Sequence, residues 1–533
     1  MMDDLQKQAE LLRQKLNQAP NSPAAHNNLA LVLRRLGQTS ESEALLRKAS
    51  ALNPNSPDIA FNLGLVLLDE KRNEEAESAF RRALELRPGY AEASLVLGAS
   101  TKTSGRVVES EALLRVAIAG LPHSVDAHEL LGDVLRLLGR CDEAEAELRQ
   151  ALSLNPASFE ANISLGLVLY ALNRLPEAEA AARQSLALRP GSVRARLMLG
   201  LTLLKDGKYK DGLVNFESRY EESPEWEAAG AVSPYVHASR IPIAMWRGES
   251  LEGKSLVIAP EQGLGDAIQC IRFVPLLRRL GVSKLTVVCD AALMRLFSLV
   301  DGVDAVSDVR HPQELSGCDF WCYMMSLPHR LGITLDMLHS NGRYIDVPEE
   351  NVQFWKQRIN ASLTNGRYKI GLAWSGSNDL GNPSSVLPPE LRENIRRSVR
   401  LQQLLPLLRI SQCTFFSLQK GGEERQLAEI PEAVRPLDLM SNVTDFLDTA
   451  AIIENLDLVI TVDTSVAHLA GALGKPVWIL SRFDGDWRWL LDREDSPWYA
   501  SARVFTQKTR GDWDEVIAGV KERLTAFCSG LSG

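Results

Sequence analysis

Two short loops of the 533-residue chain carry residues whose types and spacing could do chemistry. The first, Glu261-Gln262-Gly263-Leu264-Gly265-Asp266, follows an apolar run from Lys254 to Ala259 that reads as a strand. Glycines after a strand let the backbone turn tightly and come close to a ligand. The spacing falls short of a full G-x-G-x-x-G, so it does not by itself identify a dinucleotide site. Asp266 fits two roles: a cap for a helix predicted from Ala267 to about Leu280, or a carboxylate serving a ligand. The second loop is Asp463-Thr464-Ser465-Val466-Ala467-His468, after an apolar strand ending at Val462. A helix starting near Ser465 presents free N–H groups and the positive end of its dipole, an anion site suited to a nucleotide diphosphate. Thr464 and Ser465 add hydroxyl donors, and Asp463 stands at the strand end. An ordinary capped helix, with His468 packed beneath the sheet, satisfies the same residues.

Three further stretches are candidates. Trp374-Ser375-Gly376-Ser377 ends another strand, and Arg396-Arg397 lies downstream of a stretch rich in Pro and Ser. Gln419-Lys420-Gly421-Gly422-Glu423-Glu424 follows a third strand. Asp484-Gly485-Asp486-Trp487-Arg488-Trp489, with Trp498 and Tyr499, is unusually aromatic and fits a cleft wall or packing between domains. Its D-x-D spacing, which can bind a metal ion in other folds, is read as accidental here because it follows the last strand of a lobe.

The elements that must position these loops come in two kinds. Prolines recur every 34 residues at Pro20, Pro54, Pro88, Pro122, Pro156, Pro190 and Pro224. Leu29, Leu63, Leu97, Leu131, Leu165 and Leu199 keep the same register, and all but the first are followed by glycine. This is the period and pattern of tetratricopeptide (TPR) repeats, each a pair of amphipathic helices that buries its apolar stripe only by stacking. The reading is a TPR solenoid over 1–224, a half-unit at 3–18 followed by six repeats, presenting a surface to a peptide or protein partner. A linker is expected over 225–250. Beyond it, short apolar runs alternate with helices, as in two Rossmann-like lobes at 251–365 and 366–533. Strands are expected at 254–259, 284–289, 320–323, 344–347, 368–374, 413–418, 458–462 and 477–480, and a last helix over 514–527 is expected to pack back across the lobes.

Composition bounds the function. A net charge of −9 argues against a general nucleic-acid binder. No apolar run reaches the length of a membrane span, and the first residues lack a signal peptide's basic and apolar regions, so a cytoplasmic location is expected. Seven scattered cysteines do not suggest a disulfide framework.

The two glycine and aspartate loops, in this order, resemble those of the heptosyltransferase-type glycosyltransferases of the GT-B fold, over roughly residues 245–527. The fusion to TPR repeats is also distantly similar to O-linked N-acetylglucosamine transferases. The resemblance implies an inverting, metal-independent glycosyltransferase of the hexosyl, heptosyl or N-acetylglucosaminyl class. It needs no cofactor beyond a nucleotide-sugar co-substrate, UDP- or ADP-linked, and its acceptor is a protein or glycan hydroxyl. Asp266 would be the base that deprotonates the acceptor, Gln262 would orient the acceptor or the donor, and the turn at Gly263 and Gly265 would bring the backbone close to the ligand. Ser375, Gly376 and either Arg396 or Arg397 would meet the diphosphate. Gln419 and Lys420 would meet base or phosphates, and Glu424 or Glu423 the ribose. Asp463, Thr464, Ser465, His468 and Arg488 complete the expected substrate contacts. The alternatives are a catalytically inactive TPR scaffold carrying a GT-B-like module, and a nucleotide-sugar epimerase or hydrolase.

Overall fold

Proline and serine open most of the repeats. In the computed structural model, residues 2–221, 243–308, 317–338, 342–363, 368–376 and 396–530 are described. Most of the expected linker, the boundary at Pro224, and Ser377 lie outside them. The chain divides into two compact units, Met1–Val168 and Leu169–Gly533.

In the first unit, helix Met2–Gln18 supplies the expected half-unit and packs Leu5, Ala9, Leu12 and Leu16 against Leu29 and Leu33. Paired helices follow, such as Pro57–Asp69 with Asn73–Leu86. In most pairs the first helix is capped by a serine two residues after the repeat proline; in the helix Ala91–Thr103 Tyr90 stands there and its side chain makes no cap. Ser22, Ser56 and Ser124 accept the N–H of Ala25, Ile59 and Ala127 at 3.2, 3.4 and 3.2 Å. The repeat glycine sits where the helices touch. A Cβ on Gly64 would lie 2.6 Å from the Phe80 ring, and one on Gly132 would lie 2.5 Å from Leu148 Cγ. Arginines on the second helices form an ion-pair ladder with the same period. Arg81 reaches Glu77 at 2.8 Å and Glu109 of the next repeat at 2.5 Å; Arg115 reaches Glu111 at 2.9 Å and Glu143 at 3.2 Å.

The second unit begins inside the array and contains its last helices, Leu175–Leu188, Val193–Lys205 and Tyr209–Phe216. The final one has 8 residues where its counterparts have 14, and it tightens into a 3-10 turn, Glu217–Tyr220. Among the described residues two sheets follow, their strands paired in parallel. The first contains β1 (Ala244–Met245), β2 (Ser255–Ala259), β3 (Lys284–Cys289), β4 (Ala305–Asp308) and β5 (Phe320–Tyr323), in the order β1-β5-β2-β3-β4. The second contains β6 (Tyr368–Ala373), β7 (Cys413–Ser417), β8 (Leu437–Asp438), β9 (Leu458–Val462), β10 (Val477–Ser481) and β11 (Ala502–Thr506). Its order, β11-β10-β9-β6-β7-β8, reverses direction between β6 and β9, as in the doubly wound dinucleotide folds.

Several expectations need correction. No strand forms at Tyr344–Val347: the N–H groups of Tyr344 and Ile345 donate to the Ala472 carbonyl at 3.0 and 3.3 Å, serving a helix end and not a sheet. The short strands β1, β4, β8 and β11 were not foreseen. The helix expected from Ala267 starts earlier, at Leu264, and is interrupted by a 3-10 turn at Ile271–Phe273. The last helix, Trp513–Cys528, does not cross the lobes. Its Trp513, Val516, Ile517, Val520 and Leu524 join Ile370, Leu401, Leu407 and Leu480 in the core of the second lobe.

Candidate functional site

The carboxyl ends of β2, β6, β7 and β9 open into one cleft of about 660 Å³ between the two lobes. This is within the roughly 300–1,000 Å³ of small-molecule sites, and it sits at the switch point of the second sheet.

From the first lobe, Gln262, Gly263, Gly265 and Asp266 line the cleft. The glycines let helix Leu264–Cys270 start at once after the strand and lie directly on helix Ser465–Ala472 of the second lobe. A Cβ on Gly265 would stand 2.7 Å from His468 Cδ2 and 3.3 Å from Ser465 Cα. Asp266 occupies the first turn, where its Oδ2 accepts the Gly263 N–H at 2.9 Å. The same carboxylate closes the helix start, as the capping reading expects, and faces the cleft. Its Oδ1 pairs with Arg488, and the side chain remains 21% exposed. Burial raises the carboxyl above its ordinary value, and Arg488 only partly offsets this.

Arg488 is the most engaged cation of the site. It donates from Nε to Gln269 Oε1 at 2.7 Å, from Nη1 to Asp486 Oδ1 at 2.8 Å and from Nη2 to Asp266. Burial pushes Asp486 up, but Arg488 more than offsets this and leaves its carboxyl below the usual range. Asp486, set aside in sequence as part of an accidental D-x-D, lines the cleft and aims Arg488. The aromatic residues around it form packing and not a cleft wall. Trp487, Trp489, Trp498 and Tyr499 are buried, and Trp498 donates to the Tyr209 hydroxyl at 3.0 Å on the last repeat.

From the second lobe, Asp463, Thr464 and Ser465 line the cleft at the end of β9. Thr464 caps helix Ser465–Ala472 by accepting the Val466 N–H at 3.3 Å. Burial, reinforced by the nearby Asp486 charge, raises the Asp463 carboxyl. His468 reaches the cleft wall but is 5% exposed, bonded through Nδ1 to the Tyr499 hydroxyl at 2.9 Å and stacked on Trp489. Burial pushes its imidazole down to about 3, so it is neutral near pH 7.

The loops after β6 and β7 complete the site. Ser375 and Gly376 line it, and the Ser398 hydroxyl accepts the Gly376 N–H at 3.1 Å. The two arginines separate. Arg396 turns to Asp484 at 3.1 Å and is not among the lining residues. Arg397 lies against Gly376, where a Cβ would meet its Nη2 at 2.9 Å, and lines the cleft. Its Nε is buried and makes no hydrogen bond among the described residues. Gln419 lines the cleft but has no capacity left for a ligand. Its Oε1 accepts the Trp374 and Ser375 N–H groups at 3.0 and 2.9 Å, and its Nε2 donates to the Ser375 and Lys420 carbonyls at 3.1 and 3.2 Å. Lys420 lines the cleft and donates to the Val443 carbonyl at 2.6 Å. Glu424 is exposed and outside the cleft, and Glu423 is buried against Gln426 at 2.5 Å.

One wall was missed in sequence. Met440, Val443, Thr444, Asp445 and Phe446 line the cleft where helix Phe446–Glu454 begins. Asp445 is its cap, accepting the Leu447 N–H at 2.9 Å. That aspartate just before an apolar run was the available signal.

The model of glycosyltransferase family 9 (heptosyltransferase) matches residues 409–480, and that of the tetratricopeptide repeat matches five stretches between residues 9 and 225. Protein FlbA of Caulobacter vibrioides (strain ATCC 19089 / CIP 103742 / CB 15) is 26% identical over 353 residues, covering 61% of this chain and 54% of FlbA. The chain thus spans about half the length of the curated relative it matches. Among solved structures it is similar to YrrB, a TPR protein with an unusual peptide-binding site, at 18% identity over 35% of this chain and 96% of YrrB, with a TM-score of 0.33. It is also similar to PilF of Pseudomonas aeruginosa, at 22% identity over 39% of this chain and 95% of PilF, with a TM-score of 0.33.

Proposed function

For a chain that carries tetratricopeptide repeats ahead of a heptosyltransferase-type module, we propose a glycosyltransferase that moves a sugar from a nucleotide-diphosphate donor to a hydroxyl acceptor. The observation that carries this reading is the opposition of two loops across one cleft. Asp266, a half-buried carboxylate of raised pKa, stands on one side, and the N-terminus of helix Ser465–Ala472 with Arg397 stands on the other.

The diphosphate lies at that helix terminus, against the free N–H of its first turn, with Arg397 and Lys420 neutralising charge. Asp266 takes the proton of the acceptor hydroxyl. The oxygen attacks the anomeric carbon from the face opposite the diphosphate, whose C–O bond breaks as the new one forms, inverting that centre. Arg488 holds the carboxylate in place, and Gln269 and Asp486 hold Arg488. The leaving charge meets fixed donors that need no reorganisation, so turnover without added divalent metal is expected. The donor is UDP- or ADP-linked, and the repeats recruit a protein or glycan acceptor, or a partner.

The test is donor hydrolysis and transfer over a panel of UDP-, ADP- and GDP-sugars, with D266N beside the wild type. D266N retains donor binding by thermal shift and loses about 10²–10⁴-fold in turnover, the usual contribution of a positioned base. Wild-type kcat/KM falls on the acid side through a pKa above the ordinary carboxylate value, because burial raises Asp266 and its protonated form cannot act as the base. A wild-type protein that binds no nucleotide diphosphate at all would leave only a scaffold.

A further inference from the structure

The end of the repeat array reaches the base loop through a buried ionic contact that the reaction scheme above does not use. Arg219, in the 3-10 turn that finishes the last repeat, has a side chain with 0% exposure. Its Nε and Nη2 donate to the two oxygens of Glu261, both at 2.7 Å, in a bidentate pair. The Glu261 side chain is also 0% exposed. Nη2 further donates to Ser326 Oγ at 2.9 Å, and Nη1 to Glu217 Oε1 at 2.8 Å and the Phe216 carbonyl at 3.1 Å. Glu217 in turn meets Arg330 at 3.0 Å.

Glu261 immediately precedes Gln262-Gly263-Leu264-Gly265-Asp266, so whatever fixes its carboxylate fixes the start of the loop that carries the base. It also accepts the Met325 N–H at 3.1 Å, and Met325 Sδ lies 4.0 Å from Arg488 Nη2, the partner of Asp266. One carboxylate therefore touches both the chain entering the base loop and the residue behind the arginine that pairs with the base. Burying two charges costs several kcal/mol of desolvation, so the pair is a poor device for stability alone. A bidentate guanidinium–carboxylate pair does fix orientation.

We propose that Arg219 and Glu261 are positioning residues for the base loop, so that the last repeat is a working part of the transferase site as well as the end of the binding array. This rests on the transferase reading for its catalytic consequence, but the tether itself is testable without substrate. The double variant R219M/E261Q removes both charges and strands neither; the new amide still accepts the Met325 N–H, and Glu217 keeps Arg330. Hydrogen exchange by mass spectrometry is expected to show the 261–270 peptide exchanging about tenfold faster than in the wild type, with the 465–472 peptide unchanged. In parallel, turnover of the panel donor that the wild type uses fastest falls about a hundredfold, the order expected for about 1 Å of misplacement, while donor KM stays within about twofold. Should the double variant fail to fold, E261D, which retracts the carboxylate by one methylene, gives the same pattern more weakly. Unchanged exchange at 261–270, or faster exchange spread evenly over the whole second unit, overturns the proposal. D266N turning over at the wild-type rate would sink the transferase reading, and the exchange result would still decide the tether.

Discussion

The chain uses ion pairs in two contrasting ways. Along the repeat ladder they are exposed, redundant and periodic: Arg81 and Arg115 each serve two glutamates, and the two sets are equivalents 34 residues apart. Two arginines of the second unit, themselves buried, form pairs of another kind, singular and reciprocal. Arg219 faces Glu261 and Glu217, and Arg488 faces Asp266 and Asp486. An exposed pair gains little because water competes with it, whereas a buried pair becomes expensive once one partner is removed. Periodic charge therefore marks surface and register, and isolated buried charge marks places where orientation matters.

The sharpest way to break the contrast is Arg488→Met. It leaves the partly buried Asp266 and Asp486 carboxylates, 21% and 32% exposed, without their counter-charge, and the expected loss is about 1–3 kcal/mol of unfolding free energy, read as a lower urea midpoint. The deficit shrinks as pH falls. In the wild type Arg488 holds Asp486 below the usual carboxylate range, so that stabilisation is present above the range and fades as pH drops through it. Without Arg488, burial alone makes protonation favourable to the native state. A deficit independent of pH between neutrality and about pH 4 would show that the carboxylates are not what the arginine neutralises.

The same contrast explains what was legible in the sequence. The repeats could be read because one helix pair is written six times, so Gly64, Gly98 and Gly132 report a single packing constraint. The central strands were legible as apolar runs, and the two loops because each follows such a run. The edge strands β1 and β8, of 2 residues each, carry too little pattern to be seen. Arg397 and Arg396 are adjacent and chemically identical, and only the backbone course at Gly376 tells them apart. Gln419 reads as a ligand contact until its four hydrogen bonds to the neighbouring loops are seen. Glu261 and Arg219 are 42 residues apart and have no local signal, because their pairing is created by the packing of the 3-10 turn Glu217–Tyr220 against the first lobe.

Helix contacts in the array offer an intermediate case. Gly200→Ala would raise helix propensity by about 1 kcal/mol, but the new Cβ would stand 2.7 Å from the Phe216 backbone nitrogen and 2.9 Å from the Asn215 carbonyl carbon. Backbone cannot yield as a side chain can, and overpacking costs about 1–3 kcal/mol. The net expectation is a loss of about 1 kcal/mol in chemical denaturation, accompanied by weaker packing of Tyr209 and Phe216 on Trp487, visible in tryptophan fluorescence. A stabilised variant would mean that the last helix shifts freely and is not held to the lobe.

The smallest effect belongs to the ladder. Arg81→Ala removes contacts to Glu77 and Glu109, but the arginine is 43% exposed and Glu77 keeps Arg106 as a partner. Water and the neighbouring rung both compensate, so the expected loss is below about 1 kcal/mol. That loss should diminish further as salt is raised from low ionic strength to about 1 M, where the screening length falls to about 3 Å. Repeating the measurement with Arg488→Met should show almost no salt dependence, since buried pairs are screened far less. If the two variants respond to salt alike, the division between a solvated ladder and a buried, orienting pair fails, and with it the reason for assigning the two sets of arginines different work.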